Sequence, residues 1–375
     1  MKVVQPFLQR REAAFFWMVA FFVYSTFRQW VALEQWLPDM TEQSQNPRGK
    51  WLPEERECRA PTAYHGRPLS PSGRVNSSVA FLFLTKDERD TGPMETMWQK
   101  WLPSPNDGRY HLYVHTAPSN TTLPLGPFFC QHAIPSVKSR MFFLLQAQLQ
   151  LLKYAMRDSA NHFVFMSLSH LPLRSFNDVY EHIISLSQNG SKSLFPMAAE
   201  GQAAGHWELH HKELGVSPKH FAKSSQWIVL NREHAQLILK HEDMLLRWDA
   251  VMLREYLLEH KIGAPDELFF PTLLKQELGE NFNGAIVDDR EWVYVEWWED
   301  SPLCSKKYKG PPEHPCTFLQ LRTTDLERMQ EGPHYFMRKI KHRTQVTYPD
   351  GTSQYLVDAV PKIIKNFEAK TTTKR

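Results

Sequence analysis

Two adjacent carboxylates, Asp266 and Glu267, stand at the mouth of an apolar run in Pro265-Asp266-Glu267-Leu268-Phe269-Phe270-Pro271-Thr272. Gly263-Ala264-Pro265 reads as a loop, and Leu268, Phe269, Phe270, Leu273 and Leu274 supply the buried face of a short helix after it. A carboxylate at such a junction is anchored by a packed element yet faces a cleft, the setting a general base requires. The octapeptide alone also fits helix capping, with Asp266 satisfying free N–H groups and complementing the dipole.

Three other groups have chemical content. Arg322, Arg338, Lys339 and Lys341 gather in the C-terminal part, where they form either a set of fixed cations or the solvated face of a helix. His206-Trp207-Glu208-Leu209-His210-His211 puts two histidines four apart, a zinc-binding spacing on a helix. The order is not His-Glu-x-x-His, and Gly201 and Gly205 suggest a loop there. Trp227, Trp297 and Trp298 are aromatic faces of the kind that stack on bases and on sugar rings alike, although core packing is the default fate of such residues.

These groups need elements to hold them. Val79–Leu84 is a continuous apolar run that suits a strand buried on both faces. A helical stretch over 94–102, a strand over 110–115, an apolar helix over 141–156 and a strand over 163–166 follow. Strand and helix patterns alternate to about Leu194, which predicts an α/β fold built on an open parallel sheet. Helices dominate from Arg232 to Gly279, two short strands occupy 285–287 and 292–297, and a basic helical end covers 325–341.

The N-terminus has the pattern of a membrane address. Lys2, Arg10 and Arg11 precede an apolar segment from Ala13 to Leu33 that is interrupted at Arg28, and Glu34, Asp39 and Glu42 follow it. A positive flank before the span predicts a cytosolic residue block 1–12, a signal-anchor helix over 13–33 and a lumenal body. Residues 34–74, rich in Pro, Arg, Glu and Gln, read as a stem. The catalytic body is expected over 75–345 and a C-terminal tail over 346–375. Asn76, Asn120 and Asn189 head glycosylation tripeptides, in agreement with a lumenal body. Cys58, Cys130, Cys304 and Cys316 show no zinc-site spacing and allow three pairings, of which Cys304–Cys316 is the expected bridge. A net charge of only +3, with the basic residues dispersed through most of the chain, argues against a nucleic-acid partner.

Five segments, in order, carry a resemblance. They are Val79–Lys86 with Tyr110–His115; Lys223-Ser224-Ser225-Gln226-Trp227 with Asn231-Arg232-Glu233; Asp266-Glu267 with Phe270-Pro271-Thr272; Val295-Glu296-Trp297; and His314-Pro315-Cys316-Thr317-Phe318. Together they resemble the core-2/I-branching type of glycosyltransferase, in particular its plant Branch-type relatives. The resemblance implies a GT-A-type nucleotide-sugar fold that works without a metal or other cofactor. No Asp-x-Asp triplet occurs anywhere in the chain, so the usual carboxylate clamp for a sugar-nucleotide metal is missing. Fixed cations would then neutralise the diphosphate leaving group electrostatically.

By the same resemblance Glu267 is the catalytic carboxylate, taking a proton from the acceptor hydroxyl in a single displacement with inversion. Lys339, with Arg322 and His115, would bind the nucleotide sugar, and Trp227, Trp297 and Asp266 the acceptor. The donor is expected to be a UDP-sugar, N-acetylglucosamine first, with xylose or another sugar as alternatives. The partners are that donor, a glycan acceptor and, through the anchor, the Golgi membrane in type II orientation. The chain departs from the pattern at Ser167-Leu168-Ser169-His170-Leu171-Pro172, where Leu168 and His170 replace an acidic residue or Cys. A catalytically silent carbohydrate-binding relative and a zinc hydrolase built on His206 and His210 are the rival readings.

Overall fold

The structure, a computed structural model, describes residues 77–85, 91–104, 107–117, 125–139, 143–188, 190–259, 264–297, 303 and 315–374. The expected anchor and stem lie outside these residues, as do Asn76, Asn120, Asn189, Trp298, Cys58, Cys304 and His314. Among the described residues no helix is long and apolar enough to cross a membrane. Cys130 and Cys316 are each disulfide-bonded, and among the described residues no cysteine is free. The chain divides into two compact units, one of Arg56–Asp249 with Ala264–Arg375 and a smaller one of Met1–Glu55 with Ala250–Gly263. The described part of the smaller unit is helical, over 250–259.

The larger unit begins with β1 (Val79–Thr85), α1 (Thr91–Trp101), β2 (Tyr110–Thr116), α2 (Pro127–Cys130), α3 (Leu145–Ala155) and β3 (His162–Ser167). Next come β4 (Leu171–Pro172), α4 (Phe176–Gln188), β5 (Ser193–Leu194), α5 (Glu200–Leu214) and β6 (Val229–Asn231). A helical stretch follows, with α6 (Arg232–Lys240), α7 (Glu242–Glu259, shared with the smaller unit) and α8 (Pro265–Leu278). The short α9 (Phe282–Ala285) leads to β7 (Ile286–Val287) and β8 (Val293–Val295). The last elements are β9 (Phe318–Arg322), α10 (Thr323–Glu331), β10 (Phe336–Arg338), β11 (Ile340–Thr347), β12 (Ser353–Tyr355) and α11 (Leu356–Lys374).

The main sheet has six strands in the order β2-β1-β3-β6-β5-β7. All seven residues of β1 are buried, as a strand covered on both faces requires, and β1 runs parallel to β2 and β3. The expected parallel sheet is corrected to a mixed one, because β6 is antiparallel to both β3 and β5. Ordinary apolar packing holds one face. Trp98 stacks edge-on against Phe83 and Trp101, and Trp101 meets Phe81 and Phe176 in the same manner.

Two smaller sheets follow from sequence that looked helical or unstructured. The expected basic helix over 325–341 is only helical to Glu331, then becomes β10 and the start of β11. Phe336 pairs with Val293 and Pro172, so backbone bonds to distant strands, not a local period, decide its state. The expected tail over 346–375 holds the end of β11, β12 and α11. Leu356, Val357, Ala359 and Val360 of α11 are buried, which gives the helix a core-facing stripe.

Candidate functional site

The site is built around α8. Its five expected apolar residues, Leu268, Phe269, Phe270, Leu273 and Leu274, are all fully buried and root the helix in the core. Ala264 precedes it with φ 58°, in the left-handed region, and its carbonyl accepts the Glu267 N–H at 2.9 Å. Pro271 lies inside the helix and has no N–H to give the carbonyl four residues earlier, that of Glu267. The vacancy is filled from outside: the Ser224 N–H donates to the Glu267 carbonyl at 2.9 Å. One turn on, Thr272 Oγ1 accepts the Ala222 N–H and donates to the Ala222 carbonyl, each at 3.0 Å. The Lys223-Ser224-Ser225 segment is thereby laid along the first turns of α8.

This placement sets the Lys223 ammonium on Glu267, donating to Oε2. Asp266 is only 2% exposed, and its carboxyl Oδ1 has no hydrogen-bond partner among the described residues. Burial first, and then the charge of Glu267, push the Asp266 carboxyl up to about 8. Asp249, tied to Gln146 at 2.9 Å, is likewise pushed up to about 6 by burial. Asp266, which the sequence also fitted to helix capping, is thus a buried carboxyl in the first turn of α8.

Asp266, Glu267 and Lys223 line a cavity of about 1280 Å³. It opens at the carboxyl ends of the parallel strands, where Thr85 of β1, His115 of β2 and Ser167 of β3 reach it. Crevices at that end of a parallel sheet are where α/β folds bind ligands. Arg338, Lys339, Trp227 and Trp297 line the same cavity, so most of the expected site residues are brought together.

Their individual settings refine the expected roles. His115 is buried, its Nε2 accepts the Val137 N–H at 3.0 Å, and burial pushes its imidazole down to about 4. It is a neutral wall residue that ties residue 137 to β2. Trp227 is nearly buried, with the Arg338 guanidinium 4.5 Å from its ring centroid and the His170 ring edge-on at 4.5 Å. Trp227 thus lines the cavity from a largely packed position, the core setting that is the default for such residues. Trp297 is 51% exposed and lines the cavity.

Arg322 is corrected outright. It stands at the N-cap of α10, its side chain 73% exposed and 3.1 Å from Asp325, and it does not line the cavity. Lys339 lies between β10 and β11, not on a helix. The divergent segment after β3 supplies packing: Leu168 and His170 are buried while Ser167 and Ser169 line the cavity. His170 Nδ1 meets the Ser167 hydroxyl at 2.8 Å, and burial, with Arg338 nearby, holds its imidazole well below the usual range.

Two features escaped the sequence. Tyr294 donates to Glu296 Oε2 at 2.9 Å and is pushed up to about 12 by burial and that carboxylate, so it is a fixed donor on the cavity wall. The Lys223 contact to Glu267 is the other, and the missing N–H of Pro271 was the signal that pointed to it. His206 sits on α5, a helix where the glycines suggested a loop, and it lines the cavity. Among the described residues no three His, Cys, Asp or Glu side chains are grouped to hold a metal ion, and the His210 side chain lies outside them.

A family model described as Core-2/I-Branching enzyme matches residues 79–330. The chain belongs to that family. The match to the branching-enzyme family takes in α8 with Glu267 and ends before Arg338 and Lys339. A rice (Oryza sativa subsp. japonica) protein named Glycosyltransferase BC10 is 27% identical over 249 residues. That alignment covers 60% of this chain and 59% of the rice protein's length. A solved structure of CMP:2-keto-3-deoxy-manno-octonic acid synthetase complexed with CTP aligns with 49% of this chain and 86% of its own. Its TM-score of 0.26 at 12% identity is too low to bear on the fold.

Proposed function

We propose that this protein is an inverting, metal-independent glycosyltransferase of GT-A type. It transfers a sugar, N-acetylglucosamine first, from a UDP-sugar to a glycan hydroxyl, as a type II Golgi membrane protein with its body in the lumen. Membership of the branching-enzyme family and the name of the rice relative support the reaction class. The observation that carries the reading is one cavity lined by both a carboxylate, Glu267, and two cations, Arg338 and Lys339. Glu267 takes the proton of the acceptor hydroxyl as that oxygen attacks the anomeric carbon. Lys339 and Arg338 offset the charge that grows on the departing diphosphate. Trp297, exposed at the cavity, stacks on an acceptor ring.

The test is a screen of UDP-sugars with the full chain, reading UDP release with and without a chelator. Turnover is expected with one donor and is expected to survive chelation. Glu267→Gln should lose about 10²–10⁴-fold in rate with UDP binding nearly unchanged. Lys339→Ala should weaken UDP binding. Turnover that stops on chelation and returns with manganese overturns the metal-independent reading; near-normal transfer by folded Glu267→Gln protein favours a silent carbohydrate binder.

A further inference from the structure

The two sequence segments that meet at the cavity are joined by their backbones, and the joint has a consequence for the carboxylate. Pro271 frees the Glu267 carbonyl, Ser224 takes it, and Thr272 grips Ala222 from both sides. Lys223 is held between those two attachment points. The side chains of Lys223 and Glu267 are 16% and 24% exposed, so the pair is partly shielded from the solvent that weakens most surface ion pairs. The ammonium engages Oε2. Oε1 makes no hydrogen bond among the described residues, and Glu267 lines the cavity.

We propose that Lys223 is a positioning residue for Glu267: it pins Oε2 and so presents Oε1 to the acceptor hydroxyl. This rests on Glu267 being the base of the reaction proposed above. In that step the hydroxyl proton passes to Oε1 while the acceptor oxygen bonds the anomeric carbon. The bond from that carbon to the phosphate oxygen breaks, and its electron pair leaves on UDP. A carboxylate free to rotate about its terminal torsion would share its time between orientations; one pinned by a half-buried cation does not. Asp266 stays out of the competition for the ammonium as long as it keeps its proton. The charged and titratable groups that act on it are Glu267, Asp249 and Lys223.

The experiment compares Lys223→Met, Lys223→Arg, Glu267→Gln and the double variant Lys223→Met/Glu267→Gln in the full chain. Donor and acceptor are those that the UDP-release screen identifies, and unfolding is followed in parallel. Lys223→Met is expected to lower kcat about 10-fold to 100-fold, with the donor KM within about twofold, because an interaction that orients the reacting group is lost. Lys223→Arg should recover most of that loss, since a guanidinium also pins a carboxylate. The double variant should be no slower than Glu267→Gln alone, and the two substitutions should be non-additive in unfolding midpoint. A raised donor KM with unchanged kcat in Lys223→Met makes Lys223 a donor ligand and overturns the proposal, as does additivity in both readouts. If the parent chain turns over no UDP-sugar, or Glu267→Gln is as fast as the parent, the proposed reaction fails and the positioning role falls with it. Non-additivity in unfolding would persist in that case and mark the reaction, not the contact, as the error.

Discussion

At the scale of single residues, neighbouring carboxylates are separated by burial. Asp266 and Glu267 are adjacent in sequence and both line the cavity, yet Asp266 is almost wholly buried while Glu267 is more open and stands beside an ammonium. Burial raises the Asp266 carboxyl to about 8 from an ordinary 3.8. The sign follows from proton counts: between those values the folded protein holds a proton that the unfolded chain has lost. Asp266 therefore favours folding most at low pH, and that contribution is lost as pH rises towards about 8. Asp266→Asn has no proton to lose. Its unfolding midpoint, measured against the parent's from pH 5 to 9, should improve relative to the parent as pH rises to about 8 and then level off. A difference that does not change with pH would place the Asp266 carboxyl outside the buried setting described here.

At the scale of elements, α8 and the segment before β6 act as one unit. A proline inside a helix is ordinarily a defect of roughly 3 kcal/mol, because a hydrogen bond goes missing. Here the missing bond is replaced by the Ser224 N–H, so the defect becomes an attachment point. Thr272 supplies the second attachment through one hydroxyl that both accepts from and donates to Ala222. Thr272→Val keeps the shape and removes the hydroxyl, leaving a buried N–H and C=O unpaired. The expected loss is about 1–3 kcal/mol in denaturant unfolding. Transfer should fall by more than a threonine remote from the cavity would explain, because Lys223 loses one of its two tethers. Retention of full stability by Thr272→Val would show that Ala222 is held by other means.

For the molecule as a whole, the buried titratable groups set a pH of greatest stability. His115, His132, His162 and His234 are each pushed down by burial to about 4 from 6.5. Below pH 6.5 the unfolded chain takes up protons that these four refuse, so stability falls as pH drops towards 4. Asp266, and Asp249 below about 6, act in the opposite sense. At pH 6.5 the four histidines are still about half protonated in the unfolded chain, so their gain with rising pH outweighs the opposing Asp266 effect until about pH 7. Below pH 6, four histidines outweigh two carboxylates. Unfolding midpoints should therefore peak at about pH 7 and fall more steeply on the acid side than towards pH 8. A maximum at pH 5 or below would mean that the histidines titrate as exposed groups.

The residue patterns alone determined what local burial can encode. The unbroken apolar run of β1 marked a strand covered on both faces, and the apolar residues after Glu267 marked a helix rooted in the core. The order of short motifs pointed to the family before any coordinate did. What only tertiary structure decided involves partners remote in the chain. The antiparallel entry of β6 depends on which strand it meets, and so do the strand state of 336–338 and the core role of α11, expected to be a tail. The resemblance implies that Arg322 binds the nucleotide sugar and Trp227 the acceptor, yet Arg322 pairs with Asp325 and Trp227 packs against Arg338 and His170. The Lys223–Glu267 contact spans 44 residues. A periodicity of two or 3.6 residues reports which face of an element is apolar, and says nothing about which distant side chain comes to rest against it.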